Sequence, residues 1–236
     1  SCIKGLNKIT GDKLYLLKDN YYSNFFDFLI DCKNNSISNA DIIILTKLDY
    51  FSEFGSIGQL LKFIDIFNEL YQKKILKKDK EYSVKLLYLK DFCQKEIDKQ
   101  YSGFDSYKCL VSLIEKLPNK DIPIKEKINY QLQYYGYVDI KDNKIPDIEW
   151  AVTNIDERNK YKFVELYNLN NGERVKAKIR NNNFEINPFT IGDILKITQF
   201  VKEGKWVINR DTGKWEKSTI DFDEFIVNYI IKEDEK

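Results

Sequence analysis

The sequence contains no histidine and no methionine, and its four cysteines lie far apart. Without histidine the chain cannot form a Ser-His-Asp or Cys-His triad, an HExxH zinc site or a C₂H₂ zinc finger. The cysteines form no CxxC pair, so we expect free thiols in a reducing cytoplasm rather than zinc ligands or a disulfide framework. Because translated chains begin with methionine, we also expect this chain to be a piece of a longer protein.

Catalytic and membrane signals are lacking as well. The sequence has no P-loop, GxSxG or GxGxxG motif, and no apolar run long enough to cross a bilayer. Asp221, Asp223 and Glu224 are close in sequence, but they fit the polar side of an amphipathic stripe better than a Mg²⁺ site. We therefore expect no catalytic residue, no metal, no cofactor and no membrane partner.

The charge balance restricts where a nucleic acid could bind. Lysine and arginine total 38 against 37 acidic residues, a net charge of +1, so any nucleic-acid surface must be a local patch. The stretch from Lys73 to Lys99 has nine lysines against five acids, whereas residues 216–236 have three lysines against seven acids. We expect a basic face on DNA, with the acidic end turned away.

The apolar pattern changes near residue 145 from helical spacing to short alternating runs. It predicts an α+β chain: an all-α module with tandem helix-hairpin-helix elements, followed by a small antiparallel barrel resembling an oligonucleotide-binding (OB) fold. The expected parts are the hairpin module (1–78), a helical linker (79–145), the barrel (146–215) and an acidic helix, tail or terminal strand (216–236). The predicted helices are Asn39–Lys47, Ile57–Ile75, Glu81–Lys99 and Ser106–Lys116. The predicted strands are Tyr161–Leu169, Arg174–Arg180, Phe189–Val201 and Trp206–Asn209.

The segment from Ile3 to Leu14 has the layout of a helix-hairpin-helix element, a glycine-containing turn between two short helices. In such an element, backbone N–H groups and a helix N-terminus point at a DNA phosphate. Gly5 would allow close approach, Leu6 would fill the gap between the helices, and Gly11 would lie where they cross. The expected phosphate-binding residues are Lys4, Gly5, Leu6, Asn7, Lys8, Thr10 and Lys13.

A second turn of this kind is predicted after the helix Asn39–Lys47. Residues 48–55 include the aromatic residues Phe51 and Phe54, and a long helix begins near Ser56. Free backbone amides at a helix N-terminus can hold an anion. Gly55, Ser56 and Gly58 are therefore the expected second contact with duplex phosphates, although Phe51 and Phe54 also fit ordinary core positions.

The order of these motifs resembles the C-terminal region of the bacterial replicative DNA polymerase III α subunit, family C. Residues 3–6 correspond to its AIKG hairpin, 25–29 to its phenylalanine-rich helix, 37–39 to its (V/I)N-(K/R) step, 45–55 to its LIKAGAFDSFG-like turn, and 130–137 to the segment before its OB barrel. Asp49 replaces the usual small residue, and the family's SGHPL sequence is absent. The match is specific over residues 3–58 and loose beyond about residue 140.

The resemblance implies a non-catalytic DNA-binding part of a cytoplasmic polymerase whose catalytic palm lies outside this chain. The hairpins would hold the primer–template duplex, and the barrel would lie near the single-stranded template. The family also binds a sliding clamp, and residues 131–135 have a Gln-Leu-x-apolar-aromatic form, but they coincide with the linker segment. Two alternatives remain open: a helical protein-interaction adaptor, and an RNA-binding barrel such as an anticodon-binding domain.

The predicted barrel has one basic strand face. Lys176, Lys178 and Arg180 alternate with apolar residues, so they project from the same side of a strand. OB barrels bind single strands with a cationic groove and stacking aromatic residues. We expect these three cations and Trp206 to bind a single strand, with Tyr161, Phe163 and Trp215 on strands or turns that could border the groove, although a basic strand face also serves solubility.

Overall fold

The computed structural model describes residues 3–157, 160–210 and 212–233 and divides the chain into two compact units, 1–122 and 123–236. The first unit consists of helices and one small sheet. Its elements are α1 (Lys8–Leu16), α2 (Phe25–Asn34), α3 (Asn39–Lys47), α4 (Ile57–Leu70), β1 (Ile75–Lys77), α5 (Leu86–Leu89), a 3₁₀ turn (Lys90–Phe92), β2 (Lys95–Ile97), β3 (Gln100–Ser102) and α6 (Ser106–Lys116).

Polar residues begin the long helices of this unit. The side chains of Asn7, Asn24, Ser38, Ser56 and Asp105 each accept a hydrogen bond from a backbone N–H in the first turn of the following helix. Such caps satisfy donors that have no partner within the helix. The helix predicted over Asn39–Lys47 is confirmed with those bounds, and the helix predicted around Ser106–Lys116 is confirmed.

Aromatic side chains of α2 and α4 form the centre of the first core. Phe26 is fully buried, and its ring lies 6.3 Å from that of Phe63 and 5.9 Å from that of Phe67. The long helix predicted from Ile57 is present, but it ends at Leu70. Gln72 follows with a φ of 63°, which redirects the chain into β1.

The helix predicted over Glu81–Lys99 is wrong. This stretch contains the short α5, the 3₁₀ turn and β2, and it joins a sheet with the order β1-β3-β2. Within the stretch, β2 pairs with β3, and Lys95 lies opposite Ser102. Pairing with a strand outside the stretch therefore outweighs its helical spacing.

The second unit contains one long helix and a closed five-stranded barrel. Its elements are α7 (Ile124–Tyr134), β4 (Glu149–Glu157), β5 (Tyr161–Asn168), β6 (Arg174–Arg180), α8 (Asn181–Ile186), β7 (Ile194–Ile208) and β8 (Trp215–Ile231). The strand order is β4-β5-β6-β8-β7, with β7 pairing back onto β4, and only β6 and β8 run parallel among these neighbours. Buried side chains fill the barrel: Val152, Val164, Leu166, Ala177, Ile179, Leu195, Ile197 and Ile226.

The C-terminal stretch forms a strand of the barrel, so the helix or tail expected over residues 216–236 is wrong where the structure describes it. Ser218 lies in a bulge of this strand, where its Oγ accepts hydrogen bonds from the backbone N–H groups of Ile220 and Asp221. The break predicted between residues 201 and 206 is also wrong, because β7 runs through it.

The two units differ from the expected four-part division. Residues 86–116 share one core with the first four helices, through Leu89, Phe104 and Leu110. In the second unit, α7 packs beside the barrel, because Ile128 is buried with Ala151 and Leu169. The segment expected to be a linker is therefore divided between the two cores. No helix of the described chain combines the length and apolar character needed to cross a membrane.

Candidate nucleic-acid interface

The first glycine turn, residues 3–7, precedes α1. Gly5 has a φ of 83°, a conformation that favours glycine, and a Cβ added there would lie 3.3 Å from Ile44 Cδ1 of α3. Lys4, Asn7 and Lys8 are exposed beside Gly5. Asn7 Oδ1 accepts a hydrogen bond from Ile9 N at 3.0 Å. The turn thus presents two lysines to solvent, with one of the helix's first amides already bonded.

The other residues expected at this site have partners within the fold. The Thr10 hydroxyl is buried and donates a hydrogen bond to Asp41 of α3. Lys13 Nζ donates to the carbonyl oxygen of Ser36 at 2.8 Å, and Leu6 packs against the first core. These contacts join α1 and the turn before it to the rest of the unit, and they engage the side chains of Leu6, Thr10 and Lys13, which the sequence predicts to contact DNA.

Gly11 does not lie at a helix crossing. A Cβ added to Gly11 would meet no heavy atom within 4 Å, so the expected close contact between two helices is wrong. The residue instead lines an open, largely apolar cavity of about 430 Å³, together with Leu14, Phe28 and Phe54. Phe28 and Phe54 stack with their ring centroids 6.0 Å apart.

The second turn is covered by the chain that follows α6. Ser56 N donates a hydrogen bond to Asn119 Oδ1 at 2.9 Å, and Gln59 Nε2 donates to the Leu117 carbonyl at 3.0 Å. A Cβ on Gly58 would lie 2.5 Å from the Lys120 carbonyl oxygen. The Ser56 amide is therefore bonded within the fold and backbone lies against Gly58, which leaves less of the turn at Gly55, Ser56 and Gly58 open to a phosphate than the sequence predicts.

The basic face of the barrel is present on β6, and carboxylates accompany its cations. Lys176 and Lys178 lie 2.8 Å from Glu165 and 2.5 Å from Asp223, respectively. Arg180 forms a close ion pair with Glu203 of β7. Ion pairing reduces the attraction of this face for a polyanion below that of its lysines and arginine alone.

Aromatic rings form a floor beneath these cations. Lys178 Nζ lies 4.8 Å from the ring centroid of Phe163, and the Arg180 guanidinium lies 5.2 Å from that of Phe225. Tyr161 contacts Phe225 edge to face at 5.5 Å. Trp206 is 59% exposed on β7. The face therefore combines positive charge with the partly exposed rings of Tyr161 and Phe163 and the exposed ring of Trp206, whereas Phe225 is buried beneath them.

Two adjacent cavities open on this face. The first, of about 370 Å³, is lined by Tyr161, Trp206 and Phe225, and the second, of about 450 Å³, by Phe163 and Phe222. Three residues line both cavities: Lys178, Lys205 and Asp223. Trp215 is 64% exposed but lines neither cavity.

Sequence reasoning missed Lys205, Lys202 and Phe222 at this site. It placed Lys202 and Lys205 in a break between strands and Phe222 on a terminal helix or strand. The structure joins them through the long antiparallel pairing of β7 with β8. The only available signal was the alternation of polar and apolar residues on both sides of the supposed break.

The lysine-rich stretch from Lys73 to Lys99 is partly neutralised within the first unit. Lys78 pairs with Glu96 at 2.6 Å, and Lys80 lies 3.4 Å from Glu69. Burial raises the pKa of Glu69, but hydrogen bonds from Ser83 and the charge of Lys80 outweigh it, so the pKa is lowered. The carboxylate therefore stays charged and offsets part of the basic patch.

The clamp-like residues 131–135 belong to α7 and its C-terminal cap. Gln131 Oε1 accepts a hydrogen bond from Asp139 N at 2.8 Å, and Leu132 packs against buried residues of the second unit. Both side chains that would define a clamp-binding peptide thus have contacts within the fold.

The thiols of the described cysteines have raised pKa values; Cys93 is half-buried, and burial raises its pKa. Cys32 and Cys109 are buried free thiols, and burial raises the pKa of each to about 12. A thiol with a raised pKa is a poor nucleophile at neutral pH. Cys2 lies outside the described residues. Within the described ranges, no three His, Cys, Asp or Glu residues come together as a metal site.

Comparisons with known proteins find no match: no protein-family model, no curated protein and no solved structure is similar to this chain at the significance required.

Proposed function

We propose that this chain binds single-stranded DNA on the face of its barrel formed by β5, β6, β8 and the β7–β8 hairpin. The strand order and the parallel β6–β8 pair support an OB fold. OB folds bind oligonucleotides through the face of their second and third strands and the loops beside it. Here those strands are β5 and β6.

The observation that carries the proposal is the combination of rings and cations around the two cavities. Aromatic rings offer a surface on which bases stack without regard to sequence, and cations track the phosphates. Lys178, Lys205 and Trp206 line these cavities, with Phe163 and Tyr161 on the neighbouring strand. Arg180 lies beside them above Phe225.

A second contact, with duplex phosphates, is proposed for the first turn alone. Its exposed residues include Lys4, Gly5 and Asn7, which precede α1, and Lys8, which is the first residue of α1. A helix N-terminus with nearby lysines favours an anion. The covered second turn takes no part in this contact.

The resemblance to family C replicative polymerases supports placing this chain in such a protein. There it would act as a non-catalytic part of a DNA-directed DNA polymerase in the cytoplasm, with a template strand on the barrel and a sliding clamp among its partners. The alternatives are an RNA-binding barrel and a helical protein-interaction adaptor.

Fluorescence anisotropy with four labelled ligands separates these functions. A single-stranded DNA, the matching RNA, a duplex and a primer–template are titrated with the chain at two salt concentrations. We expect the chain to bind single-stranded DNA more tightly than blunt duplex, and higher salt to weaken that binding. Preference for RNA would favour the RNA-binding alternative, and binding to none of the ligands would favour the adaptor.

Variants then locate the contacts. Lys4→Gln with Lys8→Gln should weaken duplex binding and leave single-strand binding unchanged. Lys18→Gln with Lys33→Gln, on the same unit, is the charge-matched control. Equal losses in the test and control pairs would overturn the duplex contact at the first turn.

A further inference from the structure

The two cavities on the barrel face share one wall, and that wall carries charge. Lys178, Lys205 and Asp223 line both cavities, whereas the aromatic residues divide between them. Each cavity lies within the range of about 300–1,000 Å³ typical of small-molecule pockets. The arrangement provides two places for flat rings with lysine side chains between them.

The two shared lysines differ in their pairing. Lys178 Nζ lies 2.5 Å from a carboxylate oxygen of Asp223 and above the ring of Phe163. Lys205 is exposed and, across the described residues, has no carboxylate within ion-pairing distance. Lys205 can therefore bind an incoming anion without first leaving a carboxylate.

A bulge in the β7–β8 hairpin positions Lys205. The pairing passes from Gly204 with Phe222 to Trp206 with Lys217, so residues 218–221 bulge opposite Lys205. A Cβ on Gly204 would lie 2.2 Å from the Ser218 carbonyl oxygen, so glycine is required for this close approach. Bulges redirect side chains and are common beside functional sites.

We propose that the face holds two consecutive nucleotides of a single strand and that Lys205 contacts the phosphate that bridges them. One base stacks in the cavity of Tyr161 and Trp206, and the next in the cavity of Phe163 and Phe222. Successive bases are joined by one phosphate, which then lies at the shared wall. This inference rests on the proposed single-strand function and adds the length of the minimal site and its central cation.

The test compares a thymidine dinucleotide with the same molecule whose single phosphate is replaced by a neutral methylphosphonate. NMR chemical-shift titration measures both affinities for the wild type, Lys205→Gln and the control Lys214→Gln. Lys214 is an exposed lysine on the same hairpin that lines neither cavity. Both substitutions are at exposed positions and remove one charge, and the dispersion of the amide spectra verifies folding.

We expect the wild type and Lys214→Gln to prefer the charged dinucleotide, and Lys205→Gln to bind the two forms equally. With a longer single strand, Lys205→Gln should also reduce the slope of log affinity against log salt by about 0.7, the value for one phosphate contact. An undiminished preference in Lys205→Gln would overturn this inference while leaving single-strand binding intact. If the wild type failed to bind the longer strand, the proposed single-strand-binding function itself would be contradicted.

Discussion

Lys178 and Asp223 form an ion pair above an aromatic ring: their charged atoms lie 2.5 Å apart, and the ammonium lies 4.8 Å from the ring centroid of Phe163. The ion pair covers part of a surface on which a base would stack. The positive charge of Lys178 is also partly neutralised by the Asp223 carboxylate. A bound strand must therefore compete with Asp223 for Lys178.

The first prediction follows from this competition. Asp223→Asn should tighten binding of single-stranded DNA, because it removes a negative charge and releases Lys178 to contact a phosphate. The slope of log affinity against log salt should also become steeper by about 0.7 for one added contact. Anisotropy titrations across a salt series measure both quantities.

The matched control is Asp221→Asn, at an exposed position on the same strand that lines neither cavity. It makes the same change in net charge, so it reports the general electrostatic effect. Equal gains in affinity for the two variants would show that the Lys178–Asp223 pair has no particular role.

The second prediction concerns the exposed tryptophans of the hairpin. Trp206→Ala should weaken single-strand binding by about 1–3 kcal/mol, the usual range for one base stacked on an aromatic side chain. Trp215→Ala should leave affinity nearly unchanged, since Trp215 lines neither cavity. Isothermal titration calorimetry with one oligonucleotide measures both. A larger loss for Trp215→Ala than for Trp206→Ala would contradict the location of the site.

The third prediction contrasts two helical glycines of the first unit. Gly11→Ala should stabilise the fold by about 0.5–1 kcal/mol, because alanine favours the helix and its methyl group meets no atom. Gly58→Ala should destabilise it by about 1–3 kcal/mol, because the methyl group would collide with the Lys120 carbonyl. Urea unfolding followed by circular dichroism measures both changes. Destabilisation by Gly11→Ala would contradict the open space beside Gly11 and would favour a close helix crossing at this residue.

The fourth prediction concerns pH and Asp193, which links α7 to the start of β7. Its carboxylate accepts hydrogen bonds from Thr190 N and Oγ1 and lies 3.0 Å from Lys125 Nζ. Burial raises the pKa of Asp193, but these partners outweigh it and lower the pKa below its usual value of 3.8. A lowered folded-state pKa contributes stability above the unfolded-state pKa, and that contribution is lost as pH falls through the folded-state pKa.

Asp193→Asn should therefore be less stable than the wild type at neutral pH, by about 1–3 kcal/mol. The difference should shrink as pH falls below about 4, because the wild-type carboxyl then becomes protonated. All three tryptophans lie in the second unit, so urea unfolding followed by tryptophan fluorescence reports on this unit. Two results would contradict the role of this charge: a stability difference between Asp193→Asn and the wild type that does not depend on pH, or a difference equal to that caused by Asp221→Asn.

Local signals allowed much of the fold to be predicted. Helices α3 and α6 were predicted, because their apolar periodicity is contained within one segment. The alternation of β6 likewise indicated its basic face. In contrast, β2 and β8 were misassigned as helix, although a terminal strand was an alternative for β8. β2 is a three-residue strand that pairs with the adjacent β3, and β8 pairs both with its neighbour β7 and with the more distant β6, so helical spacing of apolar residues was a poor guide to either segment.

The candidate site was only partly predictable, for the same reason. The cations of β6 follow from their own strand, but Asp223 and Glu203 reach them from β8 and β7. Likewise, nothing near Ser56 indicates that Asn119 accepts a hydrogen bond from its amide. Contacts between residues far apart in sequence decide which charged groups and backbone amides are open to a nucleic acid. The sequence pattern does not indicate these contacts.

Tryptophan fluorescence tests single-strand binding at the barrel most directly. In a Trp215→Phe protein, the remaining tryptophans are the exposed Trp206 and the buried Trp150, which serves as an internal reference. We predict that a thymidine oligonucleotide quenches the emission in a saturable manner and that added salt reverses the quenching. The same titration of Trp215→Phe with Trp206→Phe should show no saturable change. Unchanged Trp206 emission at oligonucleotide concentrations that saturate binding by anisotropy would contradict the account, because the strand would then lie away from this face.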